Sequence, residues 1–387
     1  MKSSNALNLF FASLIMASGI WGCTDETDYK EIIYVGTFNT RGSEGLYVYE
    51  FDRDELSFTP IQIISDRTGP NFQTIHPNGQ YLYSVSSDAF SEDNRDGTVS
   101  AYRINQETGE LTLINEQSVE GRGPCHVSVD PHGEFAYVSN YGSGNLTVHR
   151  INADGGLSEA VDVVQHEGGS INEQRQNQPR MHSIIPSADG RFIYASDLGI
   201  DKVMIYEVDR GTGKLSPAPT PYVENVPGSG PRHFTFHPSG DFAYSAEELS
   251  HTVAVFSVDK STGALEQIQR VNMVPDDFEG RNSAADIHTS PDGRFLYASN
   301  RGHESLVIYE IDASTGLLTL VGHEHTRGEH PRNFSVDPNG EFVMVANMNR
   351  DNVVLFRRNN DTGEMTFAGT EVHIPAAVCV TPLFLPM

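Results

Sequence analysis

One unit of about fifty residues recurs along this chain, and a repeat of that length restricts the fold more than any other feature. Its first half carries a Pro-x-Gly or Asp-Gly turn and an aromatic-rich strand: HPNGQYLYSVS, DPHGEFAYVSN, SADGRFIYASD, HPSGDFAYSAE, SPDGRFLYASN and DPNGEFVMVAN. The turn glycines are Gly79, Gly133, Gly190, Gly240, Gly293 and Gly340, spaced 54, 57, 50, 53 and 47 residues apart. The second half returns seven times, as GLYVYEF, TVSAYRI, LTVHRI, VMIYEV, VAVFSV, LVIYEI and VVLFRR. Five copies run on into a Thr-Gly pair, at Gly109, Gly213, Gly263, Gly316 and Gly363. Apolar residues alternating over such short runs, bounded by Gly, Pro, Asn and Asp, specify strands joined by tight turns, and no stretch keeps a helical period beyond a turn or two. Four strands per unit make one propeller blade, so the expected fold is all-β, a seven-bladed β-propeller over residues 32–387. Seven second halves against six first turns suggest how the ring closes. Ile32 to Phe38 matches the strand after a turn and Val378 to Pro382 the strand before one, so the N- and C-terminal strands are expected to pair in one blade and hide two sheet edges.

Length alone would suggest two or three domains, which a closed ring absorbs as one unit. With 38% hydrophobic and 20% charged residues, 35 Gly and 20 Pro, the 387-residue chain has a turn-rich globular composition and not a disordered, collagenous or coiled-coil one. A net charge of −26 repels phosphate backbones at long range, which argues against nucleic acid as a partner. A small anionic substrate would need a locally cationic pocket. Residues 1–22 combine Lys2, an apolar run from Ala6 to Ile20 and a small residue before Cys23, the pattern of a bacterial lipoprotein signal peptide with Cys23 as the lipidated residue. The expectation is a lipid-anchored protein of the bacterial cell envelope, periplasmic or on the outer membrane, with residues 23–31 as its tether. A plain secretory signal with Cys23 incidental is the alternative. Cys125 and Cys379 read as buried small side chains, not as a disulfide.

Counting from the turns locates a possible site. The first strand of each blade lines the central channel and the second returns beside it. Six positions before the turn proline stand Asn71, Cys125, His182, Arg232, Ala285 and Arg332; where the second strand ends stand Ser86, Asn140, Asp197, Glu247, Asn300 and Asn347 with their successors, among them Glu248 and Arg301. Antiparallel pairing puts both sets at one rim, with His126 and His233 one residue further in. Asn, Asp and Ser at strand ends are ordinary turn residues. Several arginines meeting a histidine and a carboxylate in a narrow funnel are not, since they must be partly desolvated and paired. That group marks the expected ligand site.

With these residues placed, the chain resembles the seven-bladed lactonase family, which includes the propeller-type 6-phosphogluconolactonases and the fungal muconate-cyclising enzymes. The resemblance is carried by YVGTF at 34–38, RQNQPRMHSI, GPRHFTFHPSGDFAYSAEELSHTVAVF, AADIHTSPDGRFLYASNRGHESL and HPRNFSVDPNGEFVMVANMNRDNVVLF. It implies a lactone hydrolase whose catalytic residues are His182, Arg232, Glu248 and Arg301, with Arg180, His126, His233, Asn300 and Arg332 as substrate-binding candidates. Arg180 stands where the family often has a second histidine, and Asp286 where it has a glutamate. Lactone opening needs an activated water, a stabilised oxyanion and a proton for the leaving oxygen. Glu248 as base with His182 as donor is one assignment; a glutamate between arginines is a weakened base, so His182 as base is the other. Two other functions remain open: a non-catalytic envelope binder, because YVSNYGSGNLTVHRI resembles surface-layer propeller repeats, and a muconate-type cycloisomerase. No GxSxG, P-loop or HExxH motif is present. Neither His323, His325 and His330 nor the acidic loop Asp88 to Asp96 has metal-site spacing, so no cofactor and no metal are expected.

Overall fold

The computed structural model describes residues 29–65, 68–87 and 95–386. The expected signal segment 1–22, Cys23 and most of the acidic loop 88–96 lie outside them. Every regular element among the described residues is a strand, and the strands form seven antiparallel four-stranded sheets. Blades 1 to 6 follow chain order, with inner strands Pro70–Ile75, Pro124–Val129, Met181–Pro186, Pro231–Phe236, Ser283–Thr289 and Pro331–Val336. Blade 7 takes its inner strand, Ala377–Pro386, from the C-terminus and the other three, Tyr29–Thr37, Leu46–Asp52 and Ser57–Ile64, from the N-terminal end of the ring. Each inner strand contacts the inner strands of the blades on either side, closing the ring.

The expected closure is present and longer than anticipated. Pairing runs from Tyr29 opposite Pro386 to Thr37 opposite Ala377. Tyr29, Lys30 and Glu31, expected in the tether, are therefore strand residues, because the extended C-terminal strand offers them ladder partners. Cys125 and Cys379 are both free thiols, and burial pushes the first up to about 11 and the second up to about 12.

The repeated Tyr and Gly explain each other across the seams between blades. The hydroxyls of Tyr34, Tyr83, Tyr194, Tyr244 and Tyr297 donate to the carbonyls of Gly109, Gly155, Gly263, Gly316 and Gly363, each on the following blade. Gly363 shows why this turn excludes other residues: its φ is 73°, and an added Cβ would lie 2.3 Å from the Phe295 ring. Buried tyrosines thus fasten five of the seven seams through a satisfied hydroxyl, worth about 1 kcal/mol each.

A second repeated irregularity positions the site. Pairing between the first two strands skips a register at Asn71, Cys125, His182, Arg232 and Arg332, and across Ala285 and Asp286. These are the positions picked out by counting from the turns. A bulge breaks alternation and re-aims side chains, which lets consecutive residues such as Arg232 and His233 both face the axis.

Candidate active site

Glu248 follows the second strand of blade 4. Its backbone N–H donates to Gly230 O at 2.7 Å, and its carbonyl accepts from Ala284 N–H of blade 5 at 3.2 Å, so the side chain is fixed at the seam. Three guanidinium groups converge on the carboxylate: Arg232 Nε and Arg301 Nη2 lie 3.1 and 2.9 Å from Oε2, and Arg175 Nη2 pairs with Oε1. The bulge in blade 5 supplies the other side of the clamp. Arg301 Nη2 donates to Ala284 O and Arg232 Nη1 to Ala285 O, both at 2.6 Å. Ala285, the one rim position without a functional side chain, thus contributes its carbonyl.

Burial by itself would raise the Glu248 carboxyl, but Arg301, Arg232 and Arg175 outweigh it and hold the group far below the usual carboxylate range. The cations show the opposite stress. Arg232 is only 1% exposed, and burial together with Arg301 and Arg332 brings it down to about 9. Arg332 is brought down to about 10, mainly by burial and then by Arg301. Its guanidinium lies 5.0 Å above the Phe38 ring, and among the described residues no carboxylate pairs with it. Four guanidinium groups around one carboxylate leave the mouth strongly cationic within an acidic protein.

His182 lies beside this cluster. Its ring packs edge-on against Tyr141 at 5.3 Å and His233 at 5.4 Å, with Nδ1 3.8 Å from Cys125 Sγ. Burial, then Arg232, His233 and Arg332, push it well below the ordinary imidazole range, so it is neutral at pH 7. Arg180 stacks on the Tyr141 ring at 5.3 Å, placing it at the same mouth. His126 and His233 sit deeper, lining a 150 Å³ axial cavity with Phe72, Asp286 and His288.

Three residues of the mouth escaped the sequence reading as site residues. Arg175 lies on the loop before blade 3 and bonds both Glu248 and, at 3.2 Å, Tyr141 Oη. Its signal was the 57-residue interval between Gly133 and Gly190, the longest of the five. Tyr141 follows a strand-end Asn and resembled turn chemistry. His330 belonged to a histidine-rich stretch, yet burial with Arg301, Arg332 and Arg232 brings it down to about 3, which puts it within the field of the cluster.

Other expected rim residues face elsewhere. Asn300 is not at the mouth: its amide donates to Met273 O at 2.8 Å and accepts from Asn282, because it ties the end of the second strand to the connector leaving the fourth strand of the preceding blade. Asn140 and Asn347 make the equivalent bonds to Val119 O and Thr326 O. Asp197 binds His166, and Glu247 binds Arg270 and Thr252 of its own blade and Asn225 on the connector from blade 3. His323 and His325 lie on an outer strand beside His303, and no group of three or more His, Cys, Asp or Glu among the described residues is arranged to hold a metal.

The fold and this mouth define a closed seven-bladed ring with an arginine-clamped carboxylate and an imidazole at one opening. The chain belongs to the family described as lactonase, 7-bladed beta-propeller, whose sequence model matches residues 32–382, and it is a lactone hydrolase. A 6-phosphogluconolactonase of Bacillus subtilis is 36% identical over 308 residues, covering 80% of this chain and 85% of that one. A 6-phosphogluconolactonase of Formosa agariphila is 35% identical over 309 residues, covering 79% and 86%. The solved structure of the periplasmic gluconolactonase of Pseudomonas aeruginosa matches with a TM-score of 0.87 at 32% identity, over 92% of this chain and 99% of that one. Membership decides between enzyme and passive binder in favour of the enzyme.

Proposed function

We propose that the chain opens an anionic sugar lactone at this mouth, using His182 as the base. The observation that carries the reading is the charge imbalance: Arg175, Arg232, Arg301 and Arg332 surround the single carboxylate of Glu248. Arg332, unpaired with any carboxylate among the described residues, and Arg180 are available to a phosphate or carboxylate on the substrate. Arg232 and Arg301, fixed by the Ala284 and Ala285 carbonyls, are preorganised donors for the tetrahedral oxyanion, a role worth about 3–4 kcal/mol per donor. Both Glu248 oxygens are occupied by guanidinium groups, which supports a positioning role over a proton-accepting one. Neutral His182 takes the proton of the attacking water and returns it to the departing ring oxygen; the product acid then ionises and releases one proton to solvent.

Lactonase relatives named for phosphogluconolactone and gluconolactone support a sugar lactone as substrate. For the N-terminal segment we propose signal cleavage and lipidation at Cys23 in the cell envelope, a placement in keeping with the periplasmic Pseudomonas relative. One experiment addresses site and placement together: proton release from gluconolactone and phosphogluconolactone, followed in membrane and soluble fractions. Wild type is expected in the membrane fraction, with a lower KM for the phosphorylated lactone, and Cys23→Ala in the soluble fraction. His182→Gln is expected to lose about 100-fold or more in kcat. Absence of acceleration over buffer on any lactone, or wild-type kcat in His182→Gln, would overturn the site reading.

A further inference from the structure

The mouth is rich in donors and poor in acceptors. Guanidinium groups cannot accept a proton, and the Glu248 oxygens are already occupied. A water poised for attack therefore needs acceptors from below, and the channel provides them. His233 Nδ1 lies 2.6 Å from Asp286 Oδ1, while its Nε2 is buried and has no hydrogen-bond partner among the described residues; His126 Nδ1 is in the same condition. The His233 ring centre is 5.4 Å from that of His182 and 5.6 Å from that of His126, so His233 neighbours both other imidazoles. Buried polar nitrogens of this kind are satisfied by water, and the 150 Å³ cavity behind them has room for it.

Asp286 is held with unusual thoroughness. Oδ2 accepts from Asn333 Nδ2 at 2.5 Å and from Phe334 N–H at 3.2 Å, and pairs with His288 Nε2 at 2.9 Å. Oδ1 also accepts from Ile287 N–H at 3.0 Å. Around His233 the charged and titratable groups are Arg232, His126, His182, Asp286 and His288, with Phe72 packed edge-on at 5.9 Å. An ionised Asp286 requires His233 to carry its proton on Nδ1, which makes Nε2 an acceptor aimed at the axis.

Resting on the lactonase reading of this mouth, we propose that the hydrolytic water is supplied from the channel and held between His182, His233 and His126, and that Asp286 is the positioning residue that fixes the tautomer of His233. Water gives its proton to His182 as its oxygen bonds to the lactone carbon, while His233 Nε2 accepts the second O–H and orients the lone pair. His288 Nε2 pairs with the same carboxylate at 2.9 Å and lines the same cavity.

The test compares Asp286→Asn, Asp286→Glu, His233→Phe and His323→Gln by steady-state kinetics, thermal melting and nitrogen NMR of labelled histidines. Asp286→Asn and His233→Phe are expected to lower kcat by about 100-fold with KM within about threefold, and Asp286→Glu to restore most of kcat. His323→Gln, on an outer strand away from the channel, should stay within about twofold of wild type. In wild type His233 should show a protonated Nδ1 and a bare Nε2, and Asp286→Asn should mix the two tautomers. Should Asp286→Asn fail to fold, His233→Phe and the wild-type tautomer still decide. An active wild type with unaffected His233→Phe or a protonated His233 Nε2 overturns this proposal alone; an inactive wild type overturns the lactonase site and this proposal with it.

Discussion

Arg175 and Arg232 touch the same carboxylate yet answer to different physics. Arg232 is almost fully buried, while the Arg175 side chain is 41% exposed and reaches in from a loop. Removing a partner from a buried ion pair costs about 3–5 kcal/mol because it strands the other charge; an exposed pair contributes about 0–1 kcal/mol to stability. Arg232→Ala is therefore expected to lower the melting temperature markedly and abolish turnover. Arg175→Ala should melt within about 2 °C of wild type while raising KM for an anionic lactone roughly tenfold, as for one lost charged hydrogen bond. Calorimetry and initial rates check both, and equal melting losses would refute the distinction. The contrast also shows what could be read from sequence. His182, Arg232, Glu248 and Arg301 sit at fixed counts from repeated turns, so the repeat itself reports their common rim. Arg175 lies outside the repeat, on an insertion whose path depends on tertiary packing, and no counting rule reaches it. Asn300 obeyed the count but bonds the connector from the preceding blade, because position along a strand does not tell which side a strand-end amide turns to.

At the level of strands, the repeat announced the blades and the terminal pairing, but not the bulges that aim the inner-strand residues, since a register skip leaves no mark in hydrophobic alternation. Nor did it show the charge cluster at the closing seam. There the Arg53 guanidinium serves three carboxylates, Glu31 at 2.8 Å, Asp337 at 2.8 Å and Glu341 at 2.5 Å, joining blade 7 to blade 6. The pair with Arg53 would by itself lower Glu31, but burial is the larger influence, with Arg53 shared and Asp337 and Glu341 adding repulsion, and the carboxyl is pushed up to about 7. A raised carboxyl binds more protons folded than unfolded, so its stabilising contribution is complete below the ordinary carboxylate pKa and is lost as pH rises through about 7. Glu31→Gln keeps the shape without the charge. It should melt close to wild type near about pH 5 and higher than wild type near about pH 8, with a flatter dependence between. Thermal scans across that range decide, and a variant that melts lower at the alkaline end would show that the Arg53 pair outweighs burial.

The whole ring is the unit that makes the site. His182 comes from blade 3, Arg232 and Glu248 from blade 4, Arg301 from blade 5 and Arg332 from blade 6, while Phe38 beneath Arg332 belongs to the closing blade. Each blade touches mainly its neighbours, so the distances between these side chains are set by circumference and not by local chain geometry. A truncation ending at Ala376 tests this, because it deletes none of the named site residues. It removes the inner strand of blade 7 with buried Val378, Cys379, Val380 and Leu385. Burial of the two valines and the leucine alone is worth about 5–9 kcal/mol, comparable with the whole stability of a typical domain, about 5–15 kcal/mol. The loss also bares the edge of the Tyr29–Thr37 strand, which pairs with any strand available. The truncated chain is expected to elute as aggregate and to show no lactone hydrolysis, and adding a peptide of residues 377–387 during refolding should restore both monomer and activity in part. A monomeric, active truncation would mean that the blades hold their spacing without closure, and that the converging arginines owe their positions to neighbouring seams alone.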